Sequence, residues 1–308
     1  MSAFSDKDFD ANGYSSSRPT YPPSFYNLLK QYHNKHEDEN YNQRVLDIGC
    51  GPGTATFQMV HLLNEGNLAT KPQFNEFVGS DISPVMIQQA KVDQDSLKQP
   101  NINMKFEVGS YDSIGKDGSL GKFDLITAVE CVHWFDFETF QSHAYDNLLV
   151  PGGTIAIWGY ADAILVDYPD TDGITYDLAY ADDQMGPYWQ QPGRNRLRSM
   201  LKDDHFDPKR FTDIKESQFD ARDLRKNGNV IPGDILDVCK RCTLSQYEGY
   251  LKTFSAYHSW KQDIKNQGKP DPCEVYIDEL IKRHPELTRD TKIELCWNTF
   301  YKFATRRE

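Results

Sequence analysis

The sequence predicts an α/β protein built on a mostly parallel sheet with helices on both faces, and three observations carry that prediction. The run Arg44-Val45-Leu46-Asp47-Ile48 reads as a buried strand, and the turn Gly49-Cys50-Gly51-Pro52-Gly53 that ends it opens a helix from about Ala55 to Glu65. Further strand-like runs follow around Phe77 to Ser80, Asn103 to Val108, Phe123 to Val129 and Thr154 to Trp158. Between them, Ser83-Pro84 supplies a helix start, with Ser83 as N-cap and proline in the first turn. In an open α/β sheet ligands bind beyond the carboxyl ends of the strands, so these five tips should converge on one cleft.

The first tip specifies the ligand class. Alternate glycines let the backbone turn sharply and approach a ligand, and the following helix offers free N–H groups. A dinucleotide fingerprint needs G-x-G-x-x-G, but counting from Gly49 or Gly51 puts Thr54 or Thr56 where the third glycine should stand. Asp47 would repel a pyrophosphate and suits a cationic amino-acid ligand. S-adenosylmethionine, with its ammonium and sulfonium, meets that description. Asp47, Gly49, Cys50, Gly51 and Gly53 are therefore expected to hold it at one end. Asp81, at the second tip beside Ile82, can accept hydrogen bonds from both ribose hydroxyls. The third tip, Ser110-Tyr111-Asp112, offers Asp112 to the adenine amino group. The fourth delivers Glu130-Cys131-Val132-His133-Trp134-Phe135 to the same edge, where Glu130 is expected among the cofactor-binding residues.

Composition narrows the partners. The chain has 308 residues, of which 38% are hydrophobic, enough for a full core. A net charge of −12 argues against broad contact with nucleic acid or an anionic membrane. No 18-residue apolar run and no signal-peptide core is present, so a cytoplasmic enzyme is expected. Its six cysteines should then remain thiols. Cys239-Lys240-Arg241-Cys242 lacks a second ligand pair, so no metal site is expected. Without coiled-coil heptads or an exposed apolar stripe, a monomer with no obligate protein partner is the expectation.

The chain resembles class I S-adenosylmethionine-dependent methyltransferases, and within them the fungal trans-aconitate methyltransferases. The resemblance rests on Tyr14 to Pro22, Asp47 to Thr56, Thr127 to Phe137, Ile155 to Asp162, Gly186 to Arg198, Ser255 to Asp263 and Trp297 to Lys302. It implies a Rossmann-like, seven-stranded sheet whose last strand is antiparallel. The terminal strands are read at Phe211 to Phe219 and Ile293 to Phe303. One domain is expected: an N-terminal lid segment and helix over 1–36, a cofactor-binding core over 44–161, and acceptor-binding helical insertions with the last two strands over 162–308. The amphipathic helix of the first part is placed at Ser24 to Lys35. Helices of the last part are placed at Thr243 to Lys261, with a capping box from Thr243 to Gln246, and at Glu274 to Arg283.

The implied reaction is methyl transfer to a carboxylate of trans-aconitate or a related acid such as isopropylmalate, giving a methyl ester. It would run as an in-line displacement with the substrate carboxylate as nucleophile. A polyanionic acceptor requires cations gathered locally in an acidic protein. Arg18, Arg194 and Arg196 are the candidates raised by the resemblance, since a guanidinium fork can hold a carboxylate with two hydrogen bonds. Residues 194 and 198 share a helix face and 196 points elsewhere. Tyr14, Tyr21, Tyr160, Tyr257 and Trp260 are assigned to the cleft, whereas Phe254 and Trp189 read as core. A carboxylic acid is already ionised at pH 7, so no general base is needed. His133 and Trp134 are accordingly expected to shape the acceptor site and Glu130 to orient their loop, with a purely structural role for His133 as the alternative. A lipid or xenobiotic acceptor, and a silent cofactor-binding protein, are the competing functions.

Overall fold

The computed structural model describes residues 17–35, 43–66, 68, 71–97, 99, 101–226 and 232–308. Tyr14 and most of the expected lid lie outside the described residues. Helix α1 (Pro23–His33) precedes β1 (Gln43–Ile48), α2 (Thr54–Leu62), β2 (Phe74–Asp81), α3 (Pro84–Ser96), β3 (Asn103–Val108) and β4 (Phe123–Val129). Next come α4 (Phe137–His143), β5 (Leu149–Leu165), α5 (Asp172–Tyr180), α6 (Gly193–Arg198), β6 (Phe211–Phe219) and α7 (Ala221–Arg225). The chain closes with β7 (Cys239–Thr243), α8 (Leu244–Leu251), α9 (Ser255–Gln262), α10 (Pro272–Arg283) and β8 (Lys292–Arg306).

The strands form one sheet in the order β3-β2-β1-β4-β5-β8-β6, with β7 paired to β8. β1 pairs in parallel with both β2 and β4, so the chain leaves β1 in one direction and returns on its other side. That reversal opens a crevice at the tips of β1 and β4, where ligands of such sheets bind. β8 is antiparallel to β5 and to β6, as expected for the last strand. One apolar cluster covers a face of the sheet with α1, whose Phe25 ring lies 5.3 Å from Trp158 and 5.8 Å from Phe303. The other face carries Phe123, Phe140 and Phe211, all fully buried.

Four expectations change. The sheet has eight strands among the described residues, because β7 adds to the β8 edge. Cys239 and Cys296 oppose each other in the β7/β8 register and are joined by a disulfide, so not all six cysteines are thiols. The local C-x-x-C spacing concealed a partner 57 residues away. β5 runs to Leu165, beyond the expected end at Trp158, with its register against β8 shifting between Tyr160 and Ala163. A bulge of this kind re-aims side chains next to a site. Finally, the helix expected over Thr243 to Lys261 divides into α8 and α9. The Thr243–Gln246 capping box is present, but the chain breaks at Thr253 and Phe254, where Phe254 is extended.

Candidate active site

At the β1 tip the turn is left-handed at Gly49, Gly51 and Gly53. Two of these positions show why glycine is required. A Cβ on Gly49 would stand 2.6 Å from Cys131 Sγ, whereas one on Gly51 would meet nothing within 4 Å. The first glycine thus lets β1 and the β4 tip close together, and the second leaves open space for a ligand to lie against the backbone. Gly49, Cys50 and Gly51 line a cavity of about 630 Å³; Gly53, as N-cap of α2, sits behind the turn.

Asp47 lies beneath, fully buried, with Thr56 Oγ1 donating to Oδ2 at 2.5 Å and Thr127 Oγ1 to Oδ1 at 2.8 Å. Burial pushes its pKa up to about 6 against the pull of the two hydroxyls, so it is mostly ionised at pH 7. Asp81 accepts from Gly51 N at 3.0 Å and from Ser83 N at 2.8 Å, which fixes its carboxylate at the cavity edge. Ile82, exposed, and Ser110 and Tyr111 complete this end. The Tyr111 ring stacks on Phe135 with centroids 4.3 Å apart. Asp112 does not line the cavity. It accepts a hydrogen bond from Ser110 Oγ at 2.5 Å, which turns it back onto its own loop.

The other end of the cavity draws on distant segments. Arg18 donates to Tyr160 Oη at 3.5 Å and to Thr253 O at 3.4 Å, with its guanidinium carbon 5.2 Å from the Tyr250 centroid and 5.7 Å from Phe254. Its backbone is held to β7 by Lys240 Nζ, which donates to Ser17 O at 3.0 Å. The break between α8 and α9 thereby gains a purpose: it turns Thr253 O toward Arg18 and Phe254 into the cavity wall. Tyr21 and Tyr160 stand beside Arg18, both nearly buried. Arg194 is also nearly buried; it donates to Asp162 Oδ1 at 2.6 Å and to Tyr180 Oη, and its guanidinium lies 4.1 Å from the Trp189 centroid. Arg198 reaches Asp162 from one helical turn further on, at 3.3 Å.

His133 and Trp134 sit in a single 3-10 turn after β4, with ring centroids 4.7 Å apart. Trp134 packs directly over Gly193, where a Cβ would stand 2.5 Å from its ring. Burial, followed by the charges of Arg194, Arg196 and Arg18, pushes His133 down to about 3, so its imidazole is neutral throughout the physiological range. Glu130, whose Oε1 accepts from Tyr160 N, lines the cavity between the two ends. Burial raises its pKa to about 8, while the bond from Tyr160 N and the charges of Arg18 and Arg194 act in the opposite direction.

Three expected acceptor residues fall elsewhere. Arg196 points away from the cavity, as the helical spacing implies. It donates to the carbonyls of His133 at 3.0 Å and Phe135 at 2.6 Å and pairs with Asp204 at 2.8 Å. Its role is to hold the loop that presents His133. Tyr257 donates to Asp271 at 2.6 Å on the far side of α9, and Trp260 stacks on Tyr257, so neither lines the cavity. Conversely, Trp189 and Phe254, read as core, are cavity wall, and Asp162, Tyr176, Tyr180 and Tyr250 join them. The i, i+4 spacing of Tyr176 and Tyr180 was an available signal for an aromatic face on α5.

Residues 39–163 match a methyltransferase-domain family. Over 321 aligned residues, 99% of each chain, the sequence is 28% identical to CRG1 of Saccharomyces cerevisiae, named a probable S-adenosylmethionine-dependent methyltransferase. It is also 29% identical over 92 residues to the malonyl-[acyl-carrier protein] O-methyltransferase of Legionella pneumophila, covering 30% of this chain and 27% of that one. A solved structure from Anaeromyxobacter dehalogenans, a candidate type II methyltransferase, superposes with a TM-score of 0.60 at 19% identity, covering 94% of this chain and 97% of that one. The open glycine turn, the two fixed carboxylates and the adjacent apolar shelf fit the same cofactor. The chain has the Rossmann-like methyltransferase fold, with residues 39–163 matching a methyltransferase domain and S-adenosylmethionine as the cofactor of that fold.

Proposed function

We propose that the protein methylates a carboxylate of a small organic acid, releasing a methyl ester, with trans-aconitate and related polycarboxylic acids such as isopropylmalate as the acceptor class. The observation that carries this reading is the cationic acceptor end. A chain of net charge −12 brings Arg18 and Arg194 to the same cavity, each laid over aromatic rings. Against them stand the carboxylates of Asp162, bonded to Arg194, and of Asp172, bonded to Arg222, while burial raises the pKa of Glu130 to about 8. Guanidinium forks so placed can hold an acid's carboxylate. The partial similarity to an enzyme named for O-methylation of malonyl-[acyl-carrier protein] also supports an acid acceptor.

S-adenosylmethionine, when bound, supplies an electrophilic methyl group on a sulfonium. Asp47 and the turn at Gly49 to Gly51 would hold its amino-acid end, Asp81 its ribose hydroxyls, and Ile82 and Tyr111 its adenine. Arg18 and Arg194 would bind and orient the acid in the cavity. His133 and Trp134 fill the space beside it, and His133 is too weak a base at pH 7 to take a proton. None need be taken, because the acceptor arrives ionised. The apolar walls exclude water, which strengthens the attraction between acceptor and cofactor and fixes their approach.

The wall of Tyr176, Tyr180, Trp189, Tyr250 and Phe254 favours a second reading, a lipid or xenobiotic acceptor. We read the chain as a single-domain, monomeric cytoplasmic enzyme in either case. Transfer of labelled methyl to a panel of trans-aconitate, cis-aconitate, citrate, isopropylmalate, phenols and amines separates the two. A base-labile mono-methyl ester formed preferentially on trans-aconitate is the expected result. Label recovered only in alkali-stable products would overturn the carboxyl reading.

A further inference from the structure

Glu130 is an anomaly at an anion site: an acidic side chain beside the arginines that would receive an acid. It follows β4 with φ of 57°, a left-handed conformation in which residues bearing a Cβ are uncommon. Gly159 makes its placement possible, since a Cβ there would stand 2.8 Å from Glu130 Oε1. That oxygen accepts from Tyr160 N, so the carboxyl group ties the β4 tip to β5. Oε2 takes no hydrogen bond from any described residue, and the side chain lines the cavity. The charged and titratable groups around it are Arg18 before α1, Arg194 on α6, Tyr250 on α8, Tyr160 on β5, and Cys131 and His133 on its own loop. The arginines that act on it belong to the acceptor end; Asp47 and Asp81 serve the cofactor end.

We propose that Glu130 is a specificity-determining residue of the acceptor site, donating a hydrogen bond from its uncharged carboxyl group through Oε2 to the acceptor's carboxylate. This rests on the carboxyl-methylation reading above. In its neutral form Glu130 adds no negative charge to the acceptor end and supplies a donor of its own. As a carboxylate it would put a negative charge in the field of Arg18 and Arg194 and repel the acid. Burial keeps the neutral form dominant at pH 7 and gives it up as pH rises through about 8. Of the other groups near it, the arginines stay charged, burial holds Tyr250 and Cys131 above their ordinary ranges, and His133 is already neutral.

The test is the pH profile of kcat/KM for trans-aconitate in wild type, Glu130→Gln and Glu130→Ala, with S-adenosylmethionine affinity measured alongside by calorimetry. Glutamine keeps an acceptor for Tyr160 N and an uncharged donor for the substrate, but cannot ionise. Wild type should lose about tenfold in kcat/KM per pH unit above about 8. Glu130→Gln should fall roughly threefold at pH 7 and show no such limb, and Glu130→Ala should fall roughly a hundredfold, both binding the cofactor within about twofold of wild type. An alkaline limb that persists in Glu130→Gln would overturn the inference and assign the limb to another group, the cofactor's own amine included. So would a tenfold loss of cofactor affinity in that variant. Failure of every acid in the panel to be methylated by wild type, or to bind its S-adenosylhomocysteine complex, would instead remove the carboxyl reading and this inference with it.

Discussion

The two ends of the cavity are built in opposite ways. The end we assign to the cofactor comes from consecutive strand tips: Asp47 with Gly49 to Gly51, Asp81 with Ile82, and Ser110 with Tyr111. Its polar groups are fixed mainly by backbone and near neighbours, as when Gly51 N and Ser83 N hold Asp81. The end we assign to the acceptor is assembled across the chain, with Arg18 bonded to Tyr160 and Thr253, and Arg194 to Asp162 and Tyr180. A site made by the path of one sheet tolerates little change in its backbone. A site made by side chains from separate elements can change its ligand while the sheet stays intact. The difference predicts that mutations at the first end remove binding of the cofactor and fold together, whereas mutations at the second remove acceptor use alone.

The largest effect should come from Gly49→Ala. It places a Cβ in contact with Cys131 on a backbone at φ +70°. Unfavourable φ and overpacking together should cost roughly 2–4 kcal/mol of stability, read by denaturant unfolding, and calorimetry should find no cofactor binding. A normal affinity would show that this turn is more adaptable than its geometry implies. Arg18→Gln should come next and separate the two ends. Losing hydrogen bonds from a charged donor to an ionised acceptor corresponds to about 1.5–3 kcal/mol, or roughly 10- to 100-fold in kcat/KM for the acid. Cofactor affinity should move by less than about twofold. Equal losses of both would mean that Arg18 serves the cofactor.

The same contrast explains what the sequence could reveal. Strand tips with their turn residues are local patterns, so the β1 and β2 tips are legible in the sequence, down to Ser83 as N-cap of α3, which accepts from Met86 N. Asp112 departs from that pattern: it stands at a strand tip, but its side chain accepts from Ser110 and turns away from the cavity. At the acceptor end, helical spacing separated Arg196 from Arg194 and Arg198, but nothing local could indicate that Arg196 binds the carbonyls of His133 and Phe135. Nor could a continuous apolar pattern over 243–261 show the break that turns Phe254 to the cavity. The β7 strand is five residues long and pairs with a distant partner, which also hid the Cys239–Cys296 bond.

Arg196→Ala tests whether a residue outside the cavity still governs it. Freeing two carbonyls of the His133 loop should lower stability by about 1–3 kcal/mol and kcat/KM by roughly tenfold, without changing cofactor affinity. A smaller effect is expected from the protonation of His133. Its folded pKa, about 3, lies below the unfolded value near 6.5, so the unfolded state binds the proton first as pH falls. Its contribution to stability is therefore complete above about pH 6.5 and is lost progressively on acidification toward 3. The slope from this one group cannot exceed about 1.4 kcal/mol per pH unit. His133→Gln should flatten the acid limb of stability by up to that slope and leave the activity profile between pH 6 and 8 unchanged in shape. A basic group emerging in that profile for wild type alone would give His133 the proton-transfer role that its depressed pKa argues against.

Tyr257→Phe should have the smallest effect and defines the boundary of the acceptor end. Family resemblance assigned Tyr257 to the cleft, yet its hydroxyl donates to Asp271, the N-cap of α10, and Asp271 in turn accepts from Cys273 N at 2.9 Å. Removing that hydroxyl deletes one hydrogen bond to a carboxylate that keeps its backbone partners, a loss of about 1 kcal/mol of stability. kcat/KM for the acid should stay within about twofold, because no cavity-lining side chain depends on it. A tenfold fall in kcat/KM at unchanged stability would mean that α9 turns this face inward when the acid binds, and the acceptor end would then extend beyond the cavity wall formed by Phe254 and Trp189.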